Sequence, residues 1–324
     1  MNGRMKICFV GVGSIARRHI RNLRNIFSTK TETVLQIDAF RRTDKTDEAV
    51  DGVDKIYTNF DEIPCDYDAI FITNPTELHL EMLRRFHDKG RHFFIEKPAV
   101  SVHQIEVAKN VSLRNSSVYY VACPLRYNAV IQYIKSNVNP GDIISVRSIS
   151  SSYLPDWRPG QDYRHTYSAH KDMGGGVSID LIHEWDYLTY LFGWPSKVSS
   201  FIGRKSSLEI DSDDYAIYMA EYKDKIVELH LDYFGRKTIR ELQLFTKDDS
   251  IIADLVNNQI RFLCTGEALD FHEERDDYQK RELQHFLSLI RNGSHNNHDS
   301  SSSHDEFTHA LNVLELTQGK LRGC

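Results

Sequence analysis

The sequence predicts an α/β protein of two domains. Residues 1–122 form a doubly wound parallel sheet, and residues 123–324 form an α/β domain with a large open, mainly antiparallel sheet. Three observations predict this. Strand and helix patterns alternate through the first 122 residues, as in a parallel sheet covered on both faces. From residue 142 onward, strand patterns instead follow one another across short turns, which antiparallel pairing allows. The length, 324 residues, suits two ordinary domains.

Taken in order, Lys6 to Val10 is a short apolar run ending at a glycine and reads as a buried strand. Ile15, Ala16, His19, Ile20, Leu23, Ile26 and Phe27 recur at helical spacing. Val34 to Phe40 and Asp68 to Thr73 are the next strands, the second followed by a helix from Thr76 to Lys89. Arg91 to Glu96 is a strand running into Lys97-Pro98. Ser101 and Gln104 have the spacing of a capping box, and Ser117 to Ala122 closes the alternation. The second half reads as strands at Asp142 to Leu154, Lys197 to Gly203, Tyr215 to Tyr222, Ile226 to Phe234, Ile239 to Thr246, Ser250 to Asp254 and Gln259 to Leu263. A helix from Ser178 to Phe192 lies between the first two. Helices near Tyr278 to Arg291 and Asp305 to Leu321 end the chain, the last placed to pack back on the first domain.

Composition narrows the function classes. With 40% hydrophobic and 27% charged residues the chain is neither disordered nor collagen-like. A net charge of −6 with no long basic run argues against nucleic acid as a partner. The five cysteines are far apart and form no CxxC pair, which excludes a zinc knuckle or disulfide frame and fits a reducing compartment. No apolar run reaches the ~18 residues of a spanning helix. The opening residues lead into a strand rather than a signal peptide, so the expected location is cytoplasmic, off the membrane. Asn292 to Ser303 is rich in Asn, His and Ser and reads as a mobile surface loop. Its His295, His298 and neighbouring His304 are taken as solvated, and no metal is expected.

Gly11-Val12-Gly13-Ser14-Ile15-Ala16 fits GxGxxA between a strand and a helix, the context that a dinucleotide-binding turn requires. Gly11 permits the tight turn, Gly13 lets backbone approach a pyrophosphate, and Ala16 lets helix and strand pack closely. The helix start, with Ser14 and Ile15, offers free N–H groups and a positive dipole end to phosphates. An acidic residue commonly ends the second strand and holds the ribose hydroxyls. Here the strand ends in Arg41 and Arg42, with Asp38 a little early. Arginine there suits a 2′-phosphate and favours NADP, with NAD left open. Thr73, Asn74 and Pro75 lie where the fourth strand ends, at the edge where open parallel sheets bind ligands. Pro75 stiffens that turn while Thr73 and Asn74 supply polar groups.

Glu96-Lys97-Pro98 ends the next strand at the same edge. Lys97 there either forms a surface salt bridge or bonds a substrate oxygen and stabilises charge during hydride transfer. Glu96 is placed to orient it and Pro98 to fix the chain. After Gly174-Gly175-Gly176, Asp180, His183 and Glu184 share a helix face by spacing. A histidine beside a carboxylate suits acid–base work, although a capped helix with a structural histidine has the same pattern.

Together these pieces resemble the Gfo/Idh/MocA oxidoreductase family, which includes glucose-fructose oxidoreductase and inositol dehydrogenase. The resemblance rests on the glycine turn, on Thr73-Asn74-Pro75 with His79, on Glu96-Lys97-Pro98, and on the three glycines followed by Asp180 and His183. It implies an N-terminal Rossmann domain with NADP or NAD bound by Gly11, Gly13, Ser14, Ile15, Arg41, Arg42, Thr73, Asn74, Pro75, His79, Glu96, Lys97 and Pro98. It also implies catalytic roles for Lys97, Asp180 and His183, and an open sheet used in a homodimer or homotetramer. The family's histidine falls four residues after the aspartate. Here His183 is three after, and Glu184 holds the fourth position. A softer resemblance links Pro124 to Tyr127, Tyr153 to Pro159, Asp162 to Arg164 and His183 to Tyr187 with sugar-nucleotide and surface-glycan enzymes. Trp157, Tyr163 and Tyr167 can stack on a sugar, and Arg126, Arg158 and Arg164 can grip a carboxylate or phosphate.

The expected function is hydride transfer between nicotinamide and a hydroxyl or ketone carbon of a sugar, sugar nucleotide or cyclitol, with substrate between nicotinamide and the second sheet. Two alternatives stay open. One is a non-catalytic NAD(P)-binding sensor or scaffold. The other is an enzyme using NAD transiently for epimerisation, elimination or glycoside cleavage.

Overall fold

Strands β1 (Arg4–Val10), β2 (Val34–Phe40), β3 (Lys55–Tyr57), β4 (Tyr67–Ile72), β5 (Gly90–Ile95) and β6 (Tyr119–Val121) form one sheet in the order β3-β2-β1-β4-β5-β6. Every neighbouring pair is parallel. The computed structural model describes residues 3–30, 33–41, 49–292 and 301–321. The last four residues of β1, β2, β4 and β5 are all buried, because helices cover both faces and leave no polar side for alternation. Helices α1 (Ser14–Lys30), α2 (His79–Arg85) and α3 (Ile105–Lys109) follow β1, β4 and β5. Ala16, Ile20, Leu23, Ile26 and Phe27 form the buried stripe of α1. Each large apolar side chain so buried contributes about 1.5–3 kcal/mol.

The expected helix over Thr76 to Lys89 is shorter than its pattern. It opens as a 3-10 turn at Thr76–Leu78 and its α-helical part ends at Arg85. The capping box is present, with Ser101 and Gln104 each bonded to the other's backbone. Strand order reverses on either side of β1, so the carboxyl ends of β1 and β4 flank the crevice where such sheets bind ligands.

The second sheet comprises β7 (Ile143–Tyr153), β8 (Lys197–Gly203), β9 (Tyr215–Glu221), β10 (Ile226–Asp232), β11 (Phe234–Thr246), β12 (Ser250–Asp254), β13 (Gln259–Phe262) and β14 (Ala268–Asp270). Its order is β14-β13-β12-β11-β7-β10-β9-β8, antiparallel throughout except for the parallel pair β7–β10. Helices α4 (Ala129–Asn137), α5 (Val177–Asp180) and α6 (His183–Phe192) belong with this sheet. Alternation sets the faces. In β9, buried Ala216, Tyr218 and Ala220 alternate with more exposed neighbours. Trp185 of α6 packs edge-on against Tyr218 at 5.3 Å, so α6 covers that face. The opposite face carries Phe201, 72% exposed, and Met219, 44% exposed.

Helix α7 (Arg275–Asn292) packs on α1 and brings Leu283, Phe286, Leu287 and Ile290 into the first core. Helix α8 (Ser301–Leu316) follows. The chain accordingly divides into Met1–Ala122 with Arg275–Leu311, and Cys123–Glu274 with Asn312–Cys324. Residues 275–311 thus group with the first unit rather than with the second, as the simple boundary at 122/123 has it. The expected surface loop, with His295 and His298, lies largely outside the described residues. Among the described residues, no helix is long and apolar enough to cross a membrane.

Candidate functional site

In the first unit, three strand ends are tied together by backbone. Gly11 sits at φ 89°, where a Cβ would fall 2.9 Å from Asn74 Cα. Its N–H donates to Phe40 O at 2.9 Å, which joins the ends of β1 and β2. The Thr73 hydroxyl donates to the carbonyls of Val10 and Gly11 at 3.1 and 2.9 Å, joining β4 to β1. Thr73 therefore braces the turn. Gly13 differs from Gly11. Its φ lies outside the left-handed region, and a Cβ built on it meets nothing within 4 Å. Neither backbone nor packing requires glycine there, so the open position fits a ligand approaching main chain. Helix α1 has no acidic residue in its first turn, which leaves its positive end available to an anion. Ile15 is half-buried and Ala16 fully buried against the sheet.

Asp38 lies inside β2 and is buried, accepting from Tyr67 Oη at 2.7 Å and from Gln36. It is committed to the sheet and is not a strand-end carboxylate. Arg41 directly follows β2, with its N–H on Tyr57 O, and is buried. Arg42 lies outside the described residues.

His79, assigned above to the cofactor, is 1% exposed and bridges two loops. Its Nε2 lies 2.8 Å from Asn74 O and its Nδ1 3.1 Å from Pro98 O. Burial pushes its pKa down against the pull of those carbonyls and of Glu96. A neutral ring donates to one carbonyl at a time. His79 thus holds the loop after β4 to the loop after β5. Glu96 Oε1 lies 2.6 Å from His19 Nε2, and its Oε2 accepts the Lys97 N–H at 3.2 Å. Burial favours the neutral acid, but the bond and charge of His19, with Lys97 and His79, hold Glu96 below the usual carboxylate range. Glu96 therefore anchors the backbone of half-buried Lys97, next to cis Pro98.

In the second unit the three glycines make room for the chain itself. A Cβ on Gly175 would lie 2.0 Å from Tyr167 O, and one on Gly176 would lie 2.2 Å from Asp213 Oδ1. Asp213 then caps α5 by accepting from Ser178 N–H at 2.9 Å. Asp180 ends α5 and is buried. It accepts from Tyr233 Oη at 2.6 Å, and the phenol of Tyr167, a residue 40% exposed, lies close enough to feel its charge. Burial and the Asp180 charge push both phenol pKa values up, so both tyrosines stay neutral. Trp157 packs edge-on against Tyr233 at 5.2 Å and donates Nε1–H to Ser152 Oγ at 2.9 Å.

The expected single helix from Ser178 to Phe192 is broken at Leu181 and Ile182, so the shared-face argument for Asp180, His183 and Glu184 does not hold. His183 opens α6 and is half-buried. Glu184 is fully buried. Its Oε1 lies 2.8 Å from Arg240 Nε and its Oε2 accepts from Tyr187 at 2.5 Å. Burial raises its pKa against those partners. Glu184 is thus a sheet-facing structural group.

Arg126, read as a ligand-gripping arginine, is buried and bidentate to Asp186 at 2.8 and 2.6 Å. Arg164 is exposed but bound to Asp162 and Glu209, and it holds Asp162 down to about 2. Tyr163 accepts the Glu209 N–H at 3.2 Å. His19, Tyr233 and Asp213 were not singled out from the sequence. Only His19 left a signal, as a polar residue within an apolar helical stripe.

Two family models match the chain. One, described as an oxidoreductase family with an NAD-binding Rossmann fold, covers residues 5–122. The other, the GFO/IDH/MocA C-terminal domain, covers 131–246. The chain is 26% identical to the uncharacterised oxidoreductase YrbE of Bacillus subtilis, over 61% of this chain and 56% of that one. That match spans little more than half of the relative. The chain is 24% identical to the myo-inositol 2-dehydrogenase of Thermotoga maritima over 89% of each. A solved structure of levoglucosan dehydrogenase in complex with NADH shares the fold, with a TM-score of 0.79 at 16% identity, over 98% of this chain and 95% of that one.

Proposed function

The chain belongs to the Gfo/Idh/MocA oxidoreductase family, and from that premise we propose that it transfers a hydride between a nicotinamide dinucleotide and the CH–OH or ketone carbon of a sugar- or cyclitol-like polyol. The observation that carries this reading is the open Cβ position of Gly13, beside an acid-free helix start at the switch point of a parallel sheet. Relatives named as dehydrogenases of myo-inositol and levoglucosan support the substrate class.

When bound, the dinucleotide supplies or accepts the hydride. Gly11, Gly13 and the N–H groups at Ser14 and Ile15 are suited to hold its pyrophosphate. Asn74 and Pro75 border the same crevice. Arg41 stands at the end of β2, where a carboxylate would favour NAD, and Asp38 is bonded into the sheet. This supports NADP over NAD.

Lys97 is assigned to the reacting oxygen. Its ammonium donates to that oxygen and stabilises charge developing there. Glu96 and His79 fix the loop that carries it. Asp180, with its two phenols, is a hydroxyl acceptor, and His183 is the second acid–base group. The exposed apolar face of the second sheet supports a homodimer or homotetramer. Light scattering that gives a monomer at micromolar concentration counts against that assembly.

The test is turnover of myo-inositol, glucose and levoglucosan with NAD and NADP, read by nicotinamide absorbance. Lys97→Met is expected to lower kcat by about 10²–10⁴ and leave cofactor affinity intact. Full turnover by that variant removes the role of Lys97.

A further inference from the structure

Arg158 and Arg236 differ from Arg126 and Arg164, which are already bound to carboxylates. Arg126 is closed by Asp186, and Arg164 by Asp162 and Glu209. Arg158 has its Cζ 5.1 Å from the centre of the Tyr167 ring, and Arg236 has its Cζ 3.9 Å from that of Tyr153. Among the described residues, neither guanidinium donates a hydrogen bond or joins an ion pair. Arg158 lies one residue from Trp157, which packs on Tyr233, and it stacks on Tyr167. Tyr233 donates to Asp180, and the Tyr167 phenol lies within reach of the Asp180 charge. Arg158 is therefore one aromatic ring away from the carboxylate assigned to substrate hydroxyls.

We propose that Arg158 receives an anionic group, a carboxylate or a phosphate, carried by the polyol substrate. This rests on the oxidoreductase reading above and narrows its substrate class to acidic sugars. The physical argument is one of geometry. A tyrosine face attracts a guanidinium and orients its plane without using its N–H donors. The donors remain as a fork that matches two oxygens of a carboxylate or phosphate. Carboxylates capable of closing an arginine stand on the same segment, and Arg164 has taken Asp162. Arg158 has taken none. Arg236 lies over the ring of Tyr153 at the end of β7.

The experiment uses the full chain loaded with NADPH or NADH, whichever binds more tightly. Nicotinamide fluorescence follows titration with glucose, glucuronate and glucose 1-phosphate, for the wild type, Arg158→Gln and Arg158→Lys. At least one anionic sugar is expected to bind about tenfold or more tighter than glucose, and the carboxylate and phosphate arms identify which anion fits. Arg158→Gln is expected to close that gap to within about twofold, and Arg158→Lys to restore only part of it, because charge returns without the fork. Thermal melts should shift little, since among the described residues the side chain holds a ring contact but no hydrogen bond or ion pair. Equal binding of charged and neutral sugars overturns the proposal. So does binding of no member of the panel, or an anion preference that survives Arg158→Gln. Failure of both NADPH and NADH to bind, read in the loading step, overturns the oxidoreductase reading and this proposal with it.

Discussion

Gly11 to Gly13 and Gly174 to Gly176 look alike as letters, and the structure gives them opposite tasks. At Gly13 the missing side chain leaves open space. At Gly175 and Gly176 it leaves room for the carbonyl of Tyr167 and the carboxylate of Asp213. The first turn is shaped for something outside the chain, and the second for the chain itself. A run of glycines therefore reports only that something comes close. The neighbour at the Cβ position decides whether that something is a ligand.

The largest test of this contrast is Gly175→Ala. A methyl group 2.0 Å from a backbone oxygen forces main chain to move, so a loss of about 3 kcal/mol or more is expected in urea unfolding. An alanine tolerated there removes the contrast.

Next in size is an acid effect in the first unit. His92 Nδ1 accepts the N–H of Val118 at 3.1 Å, so its ring is neutral, and burial lowers its pKa from 6.5 to about 4. Between those values the unfolded chain holds more protons. Stability from this group is complete above pH 6.5 and is lost as pH falls towards 4, by roughly 3 kcal/mol in all. His92→Asn should flatten the pH dependence of unfolding in that window. An unchanged slope would count against the neutral buried ring.

Tyr233→Phe comes third. It removes a buried donor from Asp180 and leaves the ring packing in place. The expected cost is about 1–3 kcal/mol in unfolding free energy. No cost would mean that Asp180 is held by other groups.

The smallest expected effect on stability is that of Gly13→Ala, within about 0.5 kcal/mol of wild type, because the methyl meets nothing and the backbone is unstrained.

Much of the framework is legible in the residues. Val34 to Phe40 and Lys197 to Gly203 are strands over the very residues their apolar patterns mark. Strands β3 and β14 are three residues each, too short for any period to show. Strand β11 begins at Phe234, earlier than Ile239, because its first residues are mostly exposed and carry no alternation. The break at Leu181 and Ile182 is hidden, since both are buried apolar residues that continue a helical stripe. The motifs that line up along one strand end, from Gly11 to Lys97, are legible because parallel topology sends consecutive strand ends to one edge. Pairings across the chain are not. Arg126 meets Asp186 across 60 residues, and Tyr233 meets Asp180 across 53. A sequence shows that an arginine or a tyrosine exists, but not whether a carboxylate has closed it.

The most direct measurement is a titration of the purified protein with NADH and NADPH, alongside Gly13→Ala. The wild type is expected to bind a nicotinamide dinucleotide, NADPH the more tightly if Arg41 meets the 2′-phosphate. Gly13→Ala should bind about tenfold or more weakly with an unchanged melt. Binding of neither nucleotide to the wild type, or full affinity in the variant, would contradict the role given to the first glycine turn.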